Sequence, residues 1–433
     1  MRPPFSLITP RPFLGLGAVV LCGGFTATSH AAGFIDDSSA QLEARTVYFN
    51  RDFRDGHSSN PQGASKREES AQGFILNLQS GYSEGTVGFG VDALGMLGFK
   101  LDSSPGSSNS GLLPSSGSNP RGSEDQYAKL GLTAKARVSH SVLKYGALLP
   151  DMPLLKYNDG RLLPTQFNGA LLTSSELKDL TFTAARLDGY TARDSTDRQD
   201  IRVHCKNKRY ACNITADHFA LYGVDYRVNE RLSAQYQYAE LEDIYRQHFI
   251  GLLGNQPLGV GRLKADLRLL SSSDSGAARA GSIDNRALSA MLGYTISGHT
   301  FSGGWQRMIG DNSMPYLDGS NPFLVNYVQV NDFAAAQERS WQLRYDYDFK
   351  AIGINGLSFL TRYVNGDRIK VAGSDEEGKE WERDSELKYV VQSGTFKDLS
   401  LRLRSATYRT NYAQVARDVD ETRLIVSYNF SLL

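Results

Sequence analysis

The stretch Trp341-Gln342-Leu343-Arg344-Tyr345-Asp346-Tyr347-Asp348-Phe349 decides the fold. Every odd position is aromatic or aliphatic and every even one is polar or charged, the period of a β-strand with one dry face and one wet face. The pattern recurs along the chain. Ala128, Leu130, Leu132, Ala134, Ala136 and Val138 alternate with Lys129, Gly131, Thr133, Lys135 and Arg137. Leu263, Ala265, Leu267 and Leu269 alternate with Lys264, Asp266 and Arg268, and Leu399, Leu401 and Leu403 with Ser400, Arg402 and Arg404. Near the C-terminus Leu424, Val426, Tyr428 and Phe430 alternate with Arg423, Ile425, Ser427 and Asn429.

A soluble sandwich alternates too, so the connections must discriminate. Tight turns at Ser83-Glu84-Gly85, Val138-Ser139-His140, Val228-Asn229-Glu230 and Ser297-Gly298-His299 take turns with long polar stretches. The long stretches fall at 52–70, 101–125, 149–168, 189–217, 272–284, 310–339, 367–385 and 409–421. Short turns on one rim and long loops on the other are the pattern of a transmembrane β-barrel. With a shorter hairpin near Glu240 to Ile244, the strands form nine up-and-down pairs, an all-β, 18-stranded antiparallel barrel with both termini on the periplasmic side. A closed barrel pairs every backbone polar group that meets lipid. Tyr82, Tyr226, Tyr294, Tyr347 and Phe349 fall near strand ends, where interfacial aromatic girdles belong.

Export is written at the N-terminus. Arg2 and Arg11 precede the apolar run Phe13 to Phe25 and the small, polar segment Ser29-His30-Ala31-Ala32, the order of a secretory signal. Residues 1–31 are therefore expected to be a signal peptide, cleaved after Ala31 or Ala32, and residues 32–433 the barrel domain. Bulky Leu21 before Cys22 argues against a lipoprotein. The chain has 47 Lys and Arg against 47 Asp and Glu. Loss of two arginines with the signal leaves 45 against 47, a near-neutral balance that offers nothing to nucleic acid. After the signal no run of about 18 apolar residues remains to form a spanning helix. Cys205 and Cys212, with six residues between them in a polar segment of an exported chain, suit a small loop disulfide. Free thiols, or a zinc site recruiting His204 and His218, stay open as alternatives. No Gly-x-Ser-x-Gly elbow, His-Glu-x-x-His pair or glycine-rich phosphate loop is present, so no enzyme, resident metal or cofactor is expected.

Several segments carry a resemblance. Arg45-Thr-Val-Tyr-Phe-Asn-Arg-Asp-Phe-Arg54, Gly81-Tyr-Ser-Glu-Gly-Thr-Val-Gly-Phe-Gly-Val-Asp-Ala-Leu-Gly95, Tyr157-Asn-Asp-Gly-Arg-Leu-Leu-Pro164 and Ser340-Trp-Gln-Leu-Arg-Tyr-Asp-Tyr347 resemble the OprD family of outer-membrane porins of pseudomonads and their relatives. The resemblance spans essentially the whole mature chain. It implies an 18-stranded barrel with inward-folded constriction loops and a row of basic side chains, sometimes loosely trimeric, that passes small carboxylate-bearing solutes across the outer membrane of a Gram-negative bacterium. One departure is the C-terminus, Phe430-Ser-Leu-Leu433, where many such barrels end on an aromatic that the barrel-assembly machinery reads.

The residues themselves suggest how a pore would work. An 18-stranded barrel is wide enough to hold water, so something inside must narrow it. Leu162, Leu163 and Pro164 are too apolar for a solvated loop and would be buried if their loop folded inward; Phe323, Leu324, Val325 and Tyr327 give the seventh loop, 310–339 when the short hairpin is counted, the same tendency. Asp159, Arg161, Asp311 and Asn312 are the candidate lining of the eyelet. Alternation turns Arg45, Lys135, Arg137, Arg362, Lys388, Arg402 and Arg404 inward, because a charge facing lipid at mid-bilayer costs about 2–4 kcal/mol. These seven are the candidate ladder, handing an anionic or zwitterionic solute along by successive weak contacts. The expected surroundings are outer-membrane lipid and lipopolysaccharide. A purely structural or adhesive barrel is the alternative, and it would conduct no ions.

Overall fold

The computed structural model describes residues 32–54, 65–117, 122–371, 373–412 and 416–433. The segment read as the signal peptide, 1–31, lies outside them. Eighteen long strands follow one another, after a single helical turn at Ala32–Asp36. They are β1 (Ser39–Phe53), β2 (Lys66–Gln79), β3 (Gly88–Ser103), β4 (Gln126–Val138), β5 (Ser141–Leu148), β6 (Gln166–Ser174), β7 (Leu180–Thr191), β8 (Phe219–Asn229) and β9 (Leu232–Leu241). The second half comprises β10 (Tyr245–Leu258), β11 (Gly261–Asp274), β12 (Asp284–Ile296), β13 (His299–Ile309), β14 (Arg339–Asp348), β15 (Leu357–Lys370), β16 (Glu377–Val390), β17 (Ser400–Thr410) and β18 (Val419–Ser431). Each pairs antiparallel with its sequence neighbour, and β1 pairs with β18 from Gln41↔Ser431 to Phe53↔Val419, closing the barrel. Closure leaves no sheet edge to face lipid.

The two faces are inverted relative to a soluble protein. Outward Leu130 and Leu343 are 75% and 61% exposed, while inward Ser340 and Gln342 are each 1% exposed. Alternation thus places oily side chains against lipid and polar ones inside. The turns at 139–140, 230–231, 259–260 and 297–298 lie on one rim with the start of β1 and the end of β18, and the long loops lie on the other.

One boundary departs from the expectation. The stretch 367–385 is mostly strand: β15 runs to Lys370 and β16 starts at Glu377. Above the bilayer the outer face no longer needs to be apolar, so Lys379 and Arg383 replace leucines and the hydrophobic period fades although the ladder continues.

The lumen is not an open tube. The third long loop, 149–165, folds inside, and Leu162 and Leu163 are fully buried against Val47, Phe49 and Tyr127. Burying each leucine contributes on the order of 2 kcal/mol. Gly73 on β2 makes the space, since a Cβ there would lie 3.1 Å from Leu162. The seventh loop, 310–338, also enters. The Asn326 amide donates to the Ser340 hydroxyl at 2.8 Å, and Gln342 donates to the Val325 carbonyl at 3.1 Å.

Candidate functional site

Barrel closure makes β15–β18 and β1 one continuous stretch of inner wall. Lys388 stands opposite Arg402, Arg404 opposite Arg423, and Arg423 opposite Phe49. Arg402 and Arg404 flank one carboxylate, Glu386, at 3.2 and 3.0 Å. Arg362, farther round, ion-pairs with buried Asp384 at 2.7 Å.

The loops close on this wall. The Arg423 guanidinium donates to the Gly160 carbonyl of the third loop at 3.1 Å and to the Gln329 carbonyl of the seventh at 3.2 Å. It also ion-pairs with Glu421 at 2.5 Å, and Arg51 Nε donates to the same carboxylate at 2.7 Å. The Glu382 carboxylate accepts from the backbone N–H groups of Val330 and Asn331 at 2.7 and 2.8 Å, pinning the seventh loop inside. Lys129 Nζ donates to the carbonyls of Pro164 at 3.1 Å and Ala192 at 2.6 Å, pinning the third.

Two cavities adjoin where the third loop meets this wall. One of about 630 Å³ opens toward the long loops, and one of about 210 Å³ lies deeper against the basic wall. Asp159, Gly160, Arg161, Arg404 and Arg423 line both, and so stand where the two adjoin. Arg45 spans the lower side, 2.6 Å from Asp159 and 2.8 Å from Glu43. The Arg161 guanidinium lies 4.6 Å above the Phe49 ring, with Arg423 and Arg51 5.5 and 5.6 Å from the same centroid. Burial, then the charges of Arg423 and Arg193, push the Arg161 proton affinity well below its ordinary value. The deeper cavity is lined by six basic side chains (Arg45, Arg161, Lys388, Arg402, Arg404, Arg423) and two acidic ones, Glu43 and Asp159.

The candidate residues thus divide. Arg45, Lys388, Arg402 and Arg404 come together with Asp159 and Arg161, and Arg362 lines the larger cavity. Four others lie elsewhere and correct the expectation. Asp311 is 75% exposed and pairs with Lys370, and Asn312 accepts from the Asp284 backbone; both sit where the seventh loop leaves β13, before it turns inward. Lys135 pairs with Asp92, and Arg137 lies 4.2 Å over the Tyr82 ring, near the short-turn end of β4 and away from the basic wall. Alternation gives a side chain its face but neither its height nor its strand neighbours.

Three residues were missed. Arg423 was legible as inward by parity, but nothing local marks it as the node between two loops. Phe49 shares the inward parity of Arg45. Glu69, fully buried on β2, accepts from the Ser110 N–H at 2.8 Å and the Ser103 hydroxyl at 2.7 Å, and also from the hydroxyls of Ser110 and Ser123. The Ser110 carbonyl in turn accepts from Arg161 Nε at 2.9 Å, so Glu69 holds the loop that positions Arg161.

Cys205 and Cys212 form a disulfide. Their flanking histidines turn elsewhere, His204 to Asp318 at 2.7 Å and His218 to Glu242 at 2.9 Å, so the zinc alternative finds no ligand set among the described residues. Burial would raise the Asp318 carboxyl, but His204, Tyr190 and Arg202 overcome it and hold the group well below the carboxylate range.

A family model for "outer membrane porin, OprD family" matches residues 32–432. The chain belongs to the OprD family. Porin D of Pseudomonas aeruginosa is 37% identical over 430 residues, 94% of this chain and 93% of that protein. Among solved structures, OpdN of Pseudomonas aeruginosa is 58% identical with a TM-score of 0.80, covering 92% of this chain and all of that one. OpdK of Pseudomonas aeruginosa with vanillate is 42% identical with a TM-score of 0.85 over the same shares. The OprD-family barrel is an outer-membrane channel for small solutes in a Gram-negative cell, and family and fold point to a channel rather than an enzyme.

Proposed function

We propose that this OprD-family channel passes small carboxylate-bearing solutes, amino acids or organic acids, and that the basic wall carries them. The observation behind this reading is the cationic surplus around the deeper cavity, six basic groups against two acids. Directly opposed arginines, Arg404 and Arg423, repel across a strand pair, a cost that barrel stability alone gives no reason to keep. A carboxylate entering the neck between the two cavities meets Arg161 and Arg423 first and relieves their repulsion. It then passes to Arg404, Arg402 and Lys388, each contact replacing part of its hydration. Asp159 and Glu43 hold Arg45 and keep the wall from trapping the anion, since conduction needs weak binding. The OpdK structure with vanillate, a carboxylate, points the same way for a relative.

Single-channel recording in a planar bilayer tests it, with wild type beside Arg402→Ala/Arg404→Ala under titration of carboxylates. Small conductance steps blocked by a carboxylate, with block at least tenfold weaker in the variant, are expected, because charge-assisted hydrogen bonds contribute roughly 1.5–3 kcal/mol each. Unchanged block would leave the pore and remove the ladder; no conductance at all would return the structural barrel.

A further inference from the structure

The outer face of the barrel carries a basic cluster that the pore does not use. Trp305 on β13 and Trp341 on β14 stand directly opposite one another, exposed on the lipid face in the long-loop half. Indoles settle at the bilayer–water interface, so this pair marks the outer-leaflet level. One pleat nearer the long loops, Arg307 and Arg339 are again directly opposite. Arg286 on β12 is diagonal to Arg307, since Leu288 pairs with Arg307 and Arg286 with Ile309. All three point outward: their strand neighbours Ala287, Met308, Gln306 and Ser340 are buried inside.

Like charges directly opposed on a sheet face are unfavourable. Arg339 is ion-paired with Asp367 at 2.8 Å, but neither Arg286 nor Arg307 has an acidic partner among the described residues. Asp284, the next outward residue on β12, adds one carboxylate beside Arg286, so with Asp367 two acids face three arginines and one positive charge is left over. The cluster therefore holds uncompensated positive charge at headgroup depth, beside a pair of indoles that suits acyl chains and sugar faces. Three adjacent strands span about 10 Å, so one phosphate reaches two guanidinium forks at once.

We propose that Arg286, Arg307 and Arg339 form a binding site for a phosphate of a phosphorylated outer-leaflet glycolipid, the lipopolysaccharide class. The site is independent of solute passage, because its side chains lie on the opposite face of the wall from the lumen. The test uses the purified porin in detergent, titrated with phosphorylated lipid A, dephosphorylated lipid A and phosphatidylglycerol, with retained lipid read by native mass spectrometry. Phosphorylated lipid A should be retained in preference to both other lipids. Arg286→Gln/Arg307→Gln should weaken that retention about thirtyfold, the effect of two basic side chains at a charged bilayer surface, and leave conductance unchanged. The single variants, expected to lose about fivefold each, serve if the double variant does not assemble. Arg186→Gln, an outward arginine remote on β7, should change nothing. Equal retention by wild type and double variant, equal retention of dephosphorylated lipid A or phosphatidylglycerol, or the same loss from Arg186→Gln would each overturn the site.

Discussion

On the wall formed by β11–β14, the lumen arginines Arg268 and Arg344 each have an acid of their own two residues away. Arg268 donates to Asp266 at 2.9 and 2.5 Å, and Arg344 to Asp346 at 2.7 and 2.6 Å, both through two nitrogens. On the wall formed by β15–β18 and β1, Arg402 and Arg404 share Glu386, Arg423 and Arg51 share Glu421, and Lys388 has no ion pair among the described residues. Both walls are rich in arginine. Pairing, more than the number of charges, decides which wall presents a field to a solute: a two-point Arg–Asp pair is nearly closed on itself, whereas an acid shared by two arginines leaves one positive charge uncancelled.

The strongest way to break this contrast is to remove the loop that encloses the basic wall. Leu162→Asp/Leu163→Asp would place carboxylates in an apolar site, a cost of several kcal/mol that expulsion of the third loop relieves. Single-channel conductance should then rise severalfold and anion preference should fall, and an unchanged step size would show that the loop does not form the neck. A gentler change sharpens the contrast from the other side. Arg268→Ala/Arg344→Ala frees Asp266 and Asp346, so reversal potentials in a salt gradient should move toward cations while carboxylate block changes less than about twofold, as expected where each lost charge had been cancelled by its own pair. An equal loss of carboxylate block would make the two walls equivalent.

Smaller effects come from the supports. Glu69→Gln keeps the shape but weakens the hold on Ser110, so Arg161 should wander and carboxylate block should weaken about threefold, in line with the roughly 0.5–1.5 kcal/mol of one ordinary hydrogen bond. Conductance without carboxylate should stay the same, and a loss of assembly in its place would make Glu69 a folding residue. The smallest effect expected is with pH. Burial, then the charge of Glu380, raises the Glu338 carboxyl well above its ordinary 4.5. A carboxyl raised in the folded state contributes stability in full below that ordinary value and loses it as pH rises through the raised one. The Ala335 N–H donates to Glu338 at 2.9 Å within the seventh loop, so open-channel noise should grow with rising pH, and Glu338→Gln should flatten that dependence.

Much of the architecture was legible in particular residues. Trp341 to Phe349 announced a strand with a lipid face, and Leu162 and Leu163 announced a loop that had to be buried. The errors share one origin. Asp311 and Asn312 were grouped with the eyelet because they belong to the seventh loop, yet they sit at its outer root. Lys135 and Arg137 were grouped with Arg402 because all point inward, yet β4 and β17 are separate stretches of wall. The stretch 367–385 read as loop because the hydrophobic signal ends where lipid ends, before the hydrogen-bonded ladder does.

The sequence by itself determined the strand count, the face each strand residue takes and the rim that carries the long loops, because these follow from a period of two and from the need to pair every backbone polar group in lipid. Only the tertiary structure decided which inward charges become neighbours. Arg45 meets Asp159 across 114 positions and Arg423 meets Gly160 across 263, contacts set by barrel closure and by two loops folding into the lumen. Local pattern carries no information at that range: alternation repeats along every strand alike, and the height and angle of a side chain in the barrel depend on how all eighteen strands register together.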